Sequence, residues 1–383
     1  MKAYNETLLK NEWVQKLAQD WTQKKLITQP QRENIDKVYS PLPYRPNWFI
    51  WIGLFIFTIL GLSAATVIFL PIIDTQFAET FLGPIYGLGV LFFLNFLIKD
   101  RRLHFSGIDN AMLYAIVLSF APLIMQIADL NYQAPWLLGL AYLPLLLFLI
   151  YYYGEPLITV GTFLTGLFIV ASLAMEFVWG KLLLPFIAML YAGAVWYFVH
   201  QFLKKEQSFY WKTALEWTHI AALSVFYAAG NYFVVREGNA ALNDLPDPSP
   251  EVALAGIFWL LTFVIPLLYL YAAIHWKSLT FLVLGSIALL ASLITLHYYY
   301  PFIPGDWATA LLGLAGVVLV VWLMRYLKEI KNGFIYKPEA DSELAILAGN
   351  IIATEIGQSA TDSPQGPKFG GGDFGGGGSG EGY

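Results

Sequence analysis

The sequence predicts an all-α, polytopic membrane protein of about ten transmembrane helices, with both termini on the cytoplasmic side. Three observations carry that expectation. Only 13% of the residues are charged against 57% hydrophobic, with mean hydropathy +0.58. An average soluble chain carries about 25% charge, because its surface must be solvated. Apolar runs recur from Trp48 onward, each long enough to cross about 30 Å of hydrocarbon at about 1.5 Å per helical residue. The basic residues then fall almost entirely on alternate connections. The 13 Trp, 23 Tyr and 28 Phe agree, since amphipathic rings favour the headgroup zone.

Residues 1–47 form a polar head, expected to be a cytosolic helical hairpin. Asn5 to Leu26 has helical spacing, with Leu9, Trp13 and Leu17 on one stripe. Thr28-Gln29-Pro30-Gln31 opens a second short helix with a cap hydroxyl, an early Pro and a capping-box Gln. Ile35, Val38 and Tyr39 form its apolar face, and Pro41 to Pro46 ends it. So small a head cannot build a good core alone, and is expected to lean on a partner, a second copy or the membrane domain.

Residues 48–327 make the membrane domain. Spans are read near 48–72, 80–98, 109–128, 134–153, 157–178, 182–203, 213–235, 252–274, 279–299 and 307–327. The first follows a polar stretch and is too long for a signal-peptide core, so it reads as a retained helix. The breaks are short and carry charge or Pro, as in Lys99-Asp100-Arg101-Arg102, Gly154-Glu155-Pro156 and Lys204-Lys205-Glu206. Residues 328–358 read as a cytosolic segment with a helix from Ser342 to Gly357. Residues 359–383 read as a disordered tail. Gln365 to Tyr383 holds ten Gly in nineteen residues and cannot bury enough apolar area to offset backbone ordering.

Orientation follows from counting. With ten spans and the N-terminus inside, 20 of the 22 Lys and Arg lie on the cytoplasmic side, leaving only Lys181 and Arg236 outside. The outer loops carry Asp74, Asp129, Glu237, Asp244, Asp247 and Asp306.

Candidate sites are few. A charge at mid-bilayer costs about 2.5–3.5 kcal/mol on insertion scales, so such a residue suggests function. Lys212, Glu216 and His219 share one face of the seventh span by their spacing of four and three. They form a candidate substrate pathway, although an interfacial Lys212–Glu216 pair explains the first two equally. Glu-x-x-His is a di-iron spacing, but it occurs once here, and no metal or other cofactor is expected. Asn95, Gln126 and Asn231 are neutral amides inside or near the ends of spans, for which interhelical hydrogen bonding is the expected role, with Asn95 and Gln126 also candidates for the same pathway. His200, His275 and His297 sit at span ends and His104 in a basic loop, so no histidine-based catalytic site is expected. Pro122, Pro144 and Pro266 should kink their spans, and Gly83-x-x-x-Gly87 should allow close packing. The chain has no Cys, which excludes thiolate metal sites and cysteine nucleophiles. Net charge −5 without a basic stripe argues against nucleic acid.

The head residues Trp21-Thr22-Gln23-Lys24-Lys25-Leu26-Ile27-Thr28-Gln29-Pro30-Gln31, with Ile35 and Tyr39, carry a resemblance. They are similar to the N-terminal helical hairpin of bacterial membrane proteins of "domain of unknown function 2157", in which many apolar spans follow. The resemblance implies a bacterial inner-membrane protein and carries over no catalytic residue.

The kinks and the Lys212/Glu216/His219 face favour passage of a small or lipidic solute. The alternative is a membrane scaffold or sensor that recruits cytosolic partners through head and tail. The expected partners are the lipid bilayer and either a second copy or a cytosolic protein.

Overall fold

The computed structural model describes residues 2–23, 26–69, 76–129, 134–246 and 248–301, with scattered positions between 313 and 325. The expected tenth span lies largely outside the described residues. Segments 328–358 and 359–383 lie wholly outside them.

The described chain is helical, with two helices in the head, α1 (Glu6–Gln23) and α2 (Gln29–Val38). The membrane domain contains α3 (Trp48–Phe69), α4 (Gln76–Arg101), α5 (Ile108–Ser119), α6 (Ala121–Asp129), α7 (Trp136–Tyr153), α8 (Pro156–Met175) and α9 (Gly180–Leu203). After a 3-10 turn over Glu206–Tyr210 come α10 (Lys212–Gly230), α11 (Tyr232–Leu242), α12 (Ala255–Trp276) and α13 (Leu279–Tyr299). Among the described residues eight helices are long and apolar enough to cross a membrane, or nine if the bent pair α10–α11 is one span. The protein is therefore an all-α, multi-pass membrane protein.

Local chemistry explains the boundaries. Thr28 N–H donates to Gln31 Oε1 at 2.8 Å, closing the capping box that starts α2. Gly154 takes φ +63 to end α7, a left-handed position that suits glycine. Glu155 then caps α8, its Oε2 accepting from Ile158 N at 2.7 Å, with Pro156 at the first helical position. The shortest expected break is thus a built one. Gly83 and Gly87 do bring helices close: a Cβ there would lie 2.2 Å from Ser119 O and 2.1 Å from Ser119 Oγ.

One span departs from the sequence reading. Instead of a straight helix over 213–235, the chain turns by 76° between α10 and α11. Asn231 adopts an extended conformation and its Oδ1 accepts from Phe233 N and Val234 N at 3.0 and 3.3 Å. A short amide offers the backbone an alternative to the helical ladder, which apolar periodicity cannot register.

Two ends of the bundle are set by contacts. At one, the head meets the 102–107 loop, the α7–α8 corner and the turn before α10: Ala3 N donates to Tyr152 O at 2.9 Å and Tyr44 N to Arg102 O at 2.9 Å. His200 near the end of α9 stacks on Trp276 at the end of α12, placing that corner at the head end too. At the other end Trp136 Nε1 donates to Glu176 and Lys181 Nζ to Asn243, both at 2.7 Å. The loops alternate as a multi-pass chain requires. The head leans on the membrane domain, one of the three supports expected for it.

The largest core is built from Tyr4, Leu94, Met112, Leu113, Leu149 and Tyr153, so α1, α4, α5 and α7 share it. A second centre, around Leu223, Ile265, Tyr269 and Phe281, joins α10, α12 and α13.

Candidate functional site

The residues singled out from sequence are not gathered in one place. Asn95 is half-buried and donates to Leu91 O of its own helix at 2.9 Å. Gln126 is exposed on α6. On α10, Lys212 and Glu216 are half-buried and both engaged, while His219 is 9% exposed and faces the interior. Its Nε2 accepts from Trp196 Nε1 at 3.2 Å, so Nδ1 carries the proton, and that nitrogen has no hydrogen-bond partner among the described residues. Phe281 and His200 complete its surroundings, with ring centroids 5.9 and 5.8 Å away.

Two histidines depart from their expected peripheral places. His104 is 6% exposed beneath the head, and His297 is 8% exposed.

The densest polar assembly involves residues that periodicity passed over. Asp109, on the first turn of α5, is fully buried. It accepts from Tyr4 OH at 2.7 Å, Phe105 N at 2.8 Å, and Ser106 N and Oγ at 2.7 and 2.9 Å. Glu155, 1% exposed, accepts from Asn110 Nδ2 at 3.1 Å and Tyr114 OH at 2.6 Å, besides its cap bond. Trp51 Nε1 donates to Asn110 Oδ1 at 3.1 Å, tying α3 to the same network. Burial pushes the Glu155 carboxyl up against the pull of these donors. Burial, followed by the nearby Asp109 charge, pushes the Tyr4 phenol well up, so it stays a donor. A sequence signal existed: Glu155-Pro156 and Ser106-Gly107-Ile108-Asp109 are helix-start patterns, and carboxylates there bind backbone N–H groups.

A charged layer lies over it. Glu12 on α1 meets Lys16 Nζ at 3.1 Å and Arg45 at 3.3 Å. Arg45 Nε donates to His104 Nδ1 at 3.2 Å, whereas Glu12 Oε2 stands 3.7 Å from that nitrogen. Arg can only donate, so the shorter contact makes Nδ1 an acceptor and the ring neutral. Burial and then Arg45 depress the His104 pKa accordingly. At Glu12 burial opposes ionisation, but Arg45 and then Lys16 overcome it and hold the carboxyl well below its usual range.

A second network lies at the helix break. Asn231 Nδ2 donates to Tyr227 OH at 2.9 Å and Thr295 Oγ1 at 3.2 Å. Tyr227 OH reaches Ala288 O at 2.8 Å and Ser292 Oγ at 3.0 Å. Ser292 Oγ donates to Thr262 O at 2.6 Å. Past the break, Arg236 bonds to Ser249 O and Tyr232 OH, while Tyr299 OH donates to Glu237 at 2.6 Å.

Open space lies elsewhere. A cavity of about 740 Å³ separates the far halves of α3, α4 and α5, lined by Leu62, Tyr86, Gly89, Phe93, Met112, Leu118 and neighbours. The helices close at the head end, where Trp51 and Phe55 of α3 meet Asn110 and Tyr114 of α5, and diverge away from it. Ile85, Phe93 and Leu118 line the cavity while 60%, 51% and 70% exposed, so it opens toward lipid. The Tyr86 and Ser119 hydroxyls are bonded to Leu62 O and Ile116 O. What remains is an apolar lateral groove of the size of a small-molecule site, roughly 300–1,000 Å³. Among the described residues no three His, Cys, Asp or Glu gather to hold a metal ion.

No family model, curated protein or solved structure matches this chain.

Proposed function

We propose that this multi-pass protein binds and passes a lipidic solute, taking its apolar chain into the groove between α3, α4 and α5. The groove carries the reading. It opens sideways to the bilayer and offers largely apolar walls on which the Tyr86, Ser119 and Thr66 hydroxyls are already bonded to backbone carbonyls, so it suits hydrocarbon better than a polar solute. His219, behind Trp196 and Phe281, stays a pathway candidate because its Nδ1 has no partner among the described residues. The proposed setting is a bacterial inner membrane with the head cytoplasmic, in line with the basic bias of that end and the head's resemblance to the family named above.

Gly89 supplies the test. A Cβ there meets nothing within 4 Å, so Gly89→Trp fills the groove without displacing backbone. A photoreactive long-chain lipid in nanodiscs should label α4 and α5 around Tyr86 and Leu118, and lose that labelling in Gly89→Trp. Even labelling of every lipid-facing helix, unchanged by the substitution, would mean annular lipid only and would overturn the proposal.

A second reading, a scaffold or sensor, has one observation in favour. The head's α1 docks, but α2 buries none of its residues and leaves Val38 75% exposed. Partner capture that survives in membranes only while α2 is intact would favour it.

A further inference from the structure

A smaller cavity, about 420 Å³, lies in the other half of the bundle between α9, α10 and α12, with Phe281 of α13 at its edge. Trp196, Phe226, Leu268, Tyr269 and Trp276 make most of its wall, and Gly193 leaves room on the α9 side. Leu268, Tyr271 and Trp276 line it while 58%, 65% and 54% exposed, so it too opens toward lipid. Its position differs from that of the first groove. The ends of α9 and α12 converge here, with His200 stacked on Trp276 at 6.5 Å, so the cavity belongs to the head-side leaflet.

The mouth is basic. Lys204 follows the last residue of α9 and Lys277 the last residue of α12, and both are exposed. Lys204 lies within electrostatic reach of His200, and exposed His275 stacks on Tyr271 at 5.9 Å. Among the described residues no carboxylate lines the cavity. Lysines at helix C-termini also answer the helix dipole, and that alone would make no site. Here the two helix ends flank one apolar cavity at headgroup depth. Hydrocarbon below and two exposed ammonium groups above match the two parts of a single molecule.

We propose that this cavity binds an anionic phospholipid of the head-side leaflet, with an acyl chain against Trp196, Phe226 and Tyr269 and the phosphate at Lys204 and Lys277. Basic pockets between membrane helices serve anionic headgroups by the same physics. The site does not rest on the α3–α5 groove, and either can fail alone.

The full-length protein in detergent is incubated with phosphatidylglycerol, phosphatidylcholine or inorganic phosphate, then read by native mass spectrometry and thermal melting. Each basic side chain near a membrane surface favours anionic lipid by roughly fivefold, so the pair predicts about a thirtyfold preference for phosphatidylglycerol. Lys204→Gln with Lys277→Asn should erase that preference and leave weak binding of both lipids. Asn suits the φ of +52 at position 277, and both lysines are exposed, so this variant should fold. In a Gly89→Trp background, where the α3–α5 groove is filled, Gly193→Leu should block both lipids, whereas Gly193→Ala, whose Cβ would sit 3.5 Å from Phe226, should keep them. Gly89→Trp alone should leave the preference for phosphatidylglycerol unchanged. Equal retention of the two lipids by the wild type, or an undiminished preference in the lysine variant, overturns the proposal. So does full protection by phosphate alone, which would mean an anion site without a lipid chain.

Discussion

The two ends of the membrane domain are held by polar networks of opposite kinds. At the head end two buried carboxylates, Asp109 and Glu155, are ringed by donors from the loop before α5, from α5 itself, from the start of α8 and from Tyr4 of the head. At the break between α10 and α11 the network is neutral, built from Asn231, Tyr227, Ser292, Thr295 and Thr262. The difference lies in what each can tolerate. A buried carboxylate depends on all its donors, because an uncompensated buried charge costs several kcal/mol. Hydroxyls can return to their own helix: Ser292 and Thr295 already donate to Ala288 O and Ala291 O. The head end should therefore be stiff and exacting. The break is bent but repairable, better suited to movement.

The largest effect that tests this contrast is at Asp109. Asp109→Ala leaves Tyr4 OH, Phe105 N, Ser106 N and Ser106 Oγ without their acceptor in a place closed to water. The expected loss is about 3–4 kcal/mol, with the head released, read as a lower melting temperature and faster proteolysis within α1. A variant as stable as wild type, with α1 still protected, would mean that the network is ornamental to folding.

Asn231→Ala should cost less. It removes the cap of α11 and two bonds to Tyr227 and Thr295, yet each hydroxyl keeps another partner. The expected loss is about 1–2 kcal/mol, with faster hydrogen exchange confined to α11. A loss equal to that of Asp109→Ala would erase the distinction between the two ends.

How much of this was legible in the sequence depends on which physical signal each feature leaves. Among the described residues eight of the expected spans, nine with the bent α10–α11 pair, follow from apolar length, and the corner at Gly154-Glu155-Pro156, although only three residues long, was readable because a C-cap glycine, an N-cap carboxylate and an N1 proline stand in order. The bend at Asn231 was not, because one amide inside an apolar run does not interrupt the run. Glu155 read only as part of a break and Asp109 was passed over, since a sequence shows a carboxylate near a span end but not the buried donors that gather on it, Tyr4 of the head among them at Asp109. His219 was singled out, and it does face the interior; the Trp196 that bonds it lies on another helix, where no spacing rule reaches. Both cavities lie between helices distant in sequence, whose relative placement no linear pattern encodes.

The smallest effect is the most selective, because the head-end network and the charged layer over it hold carboxylates and a histidine, whereas the hydrogen bonds around Asn231 hold neither. His104 is held by Arg45 Nε from one side and stands edge-on to Tyr4 at 4.8 Å and beside Phe105 at 4.3 Å. Glu12 and Asp109 are the carboxylates that act on it, and both favour its protonation, but burial and Arg45 outweigh them and the pKa is lowered. The sign follows. A histidine whose folded pKa lies below its unfolded value of about 6.5 binds more protons when released, so head docking is complete above about pH 6.5 and weakens as the pH falls below it. Glu12, also depressed, adds to the loss only below its own unfolded value, near 4.3. Between those limits Glu155, whose pKa is raised, binds its proton more readily when folded and opposes the loss, but none of its donors comes from the head. His104 is the group that loosens head docking, and a single proton allows at most about 0.9 kcal/mol at pH 6. Hydrogen exchange at pH 7.5 and 6.0, corrected for intrinsic rates, should then show α1 loosening by up to about fourfold while the Asn231-capped first turn of α11 stays unchanged, since Asn231, Tyr227, Ser292, Thr295 and Thr262 include no His, carboxylate or cation. His104→Asn, which cannot charge, should flatten the response of α1. Loosening of α1 that persists in that variant would assign the proton to another group, and equal loosening of both helices would mean that acid acts on the whole bundle and not on the head.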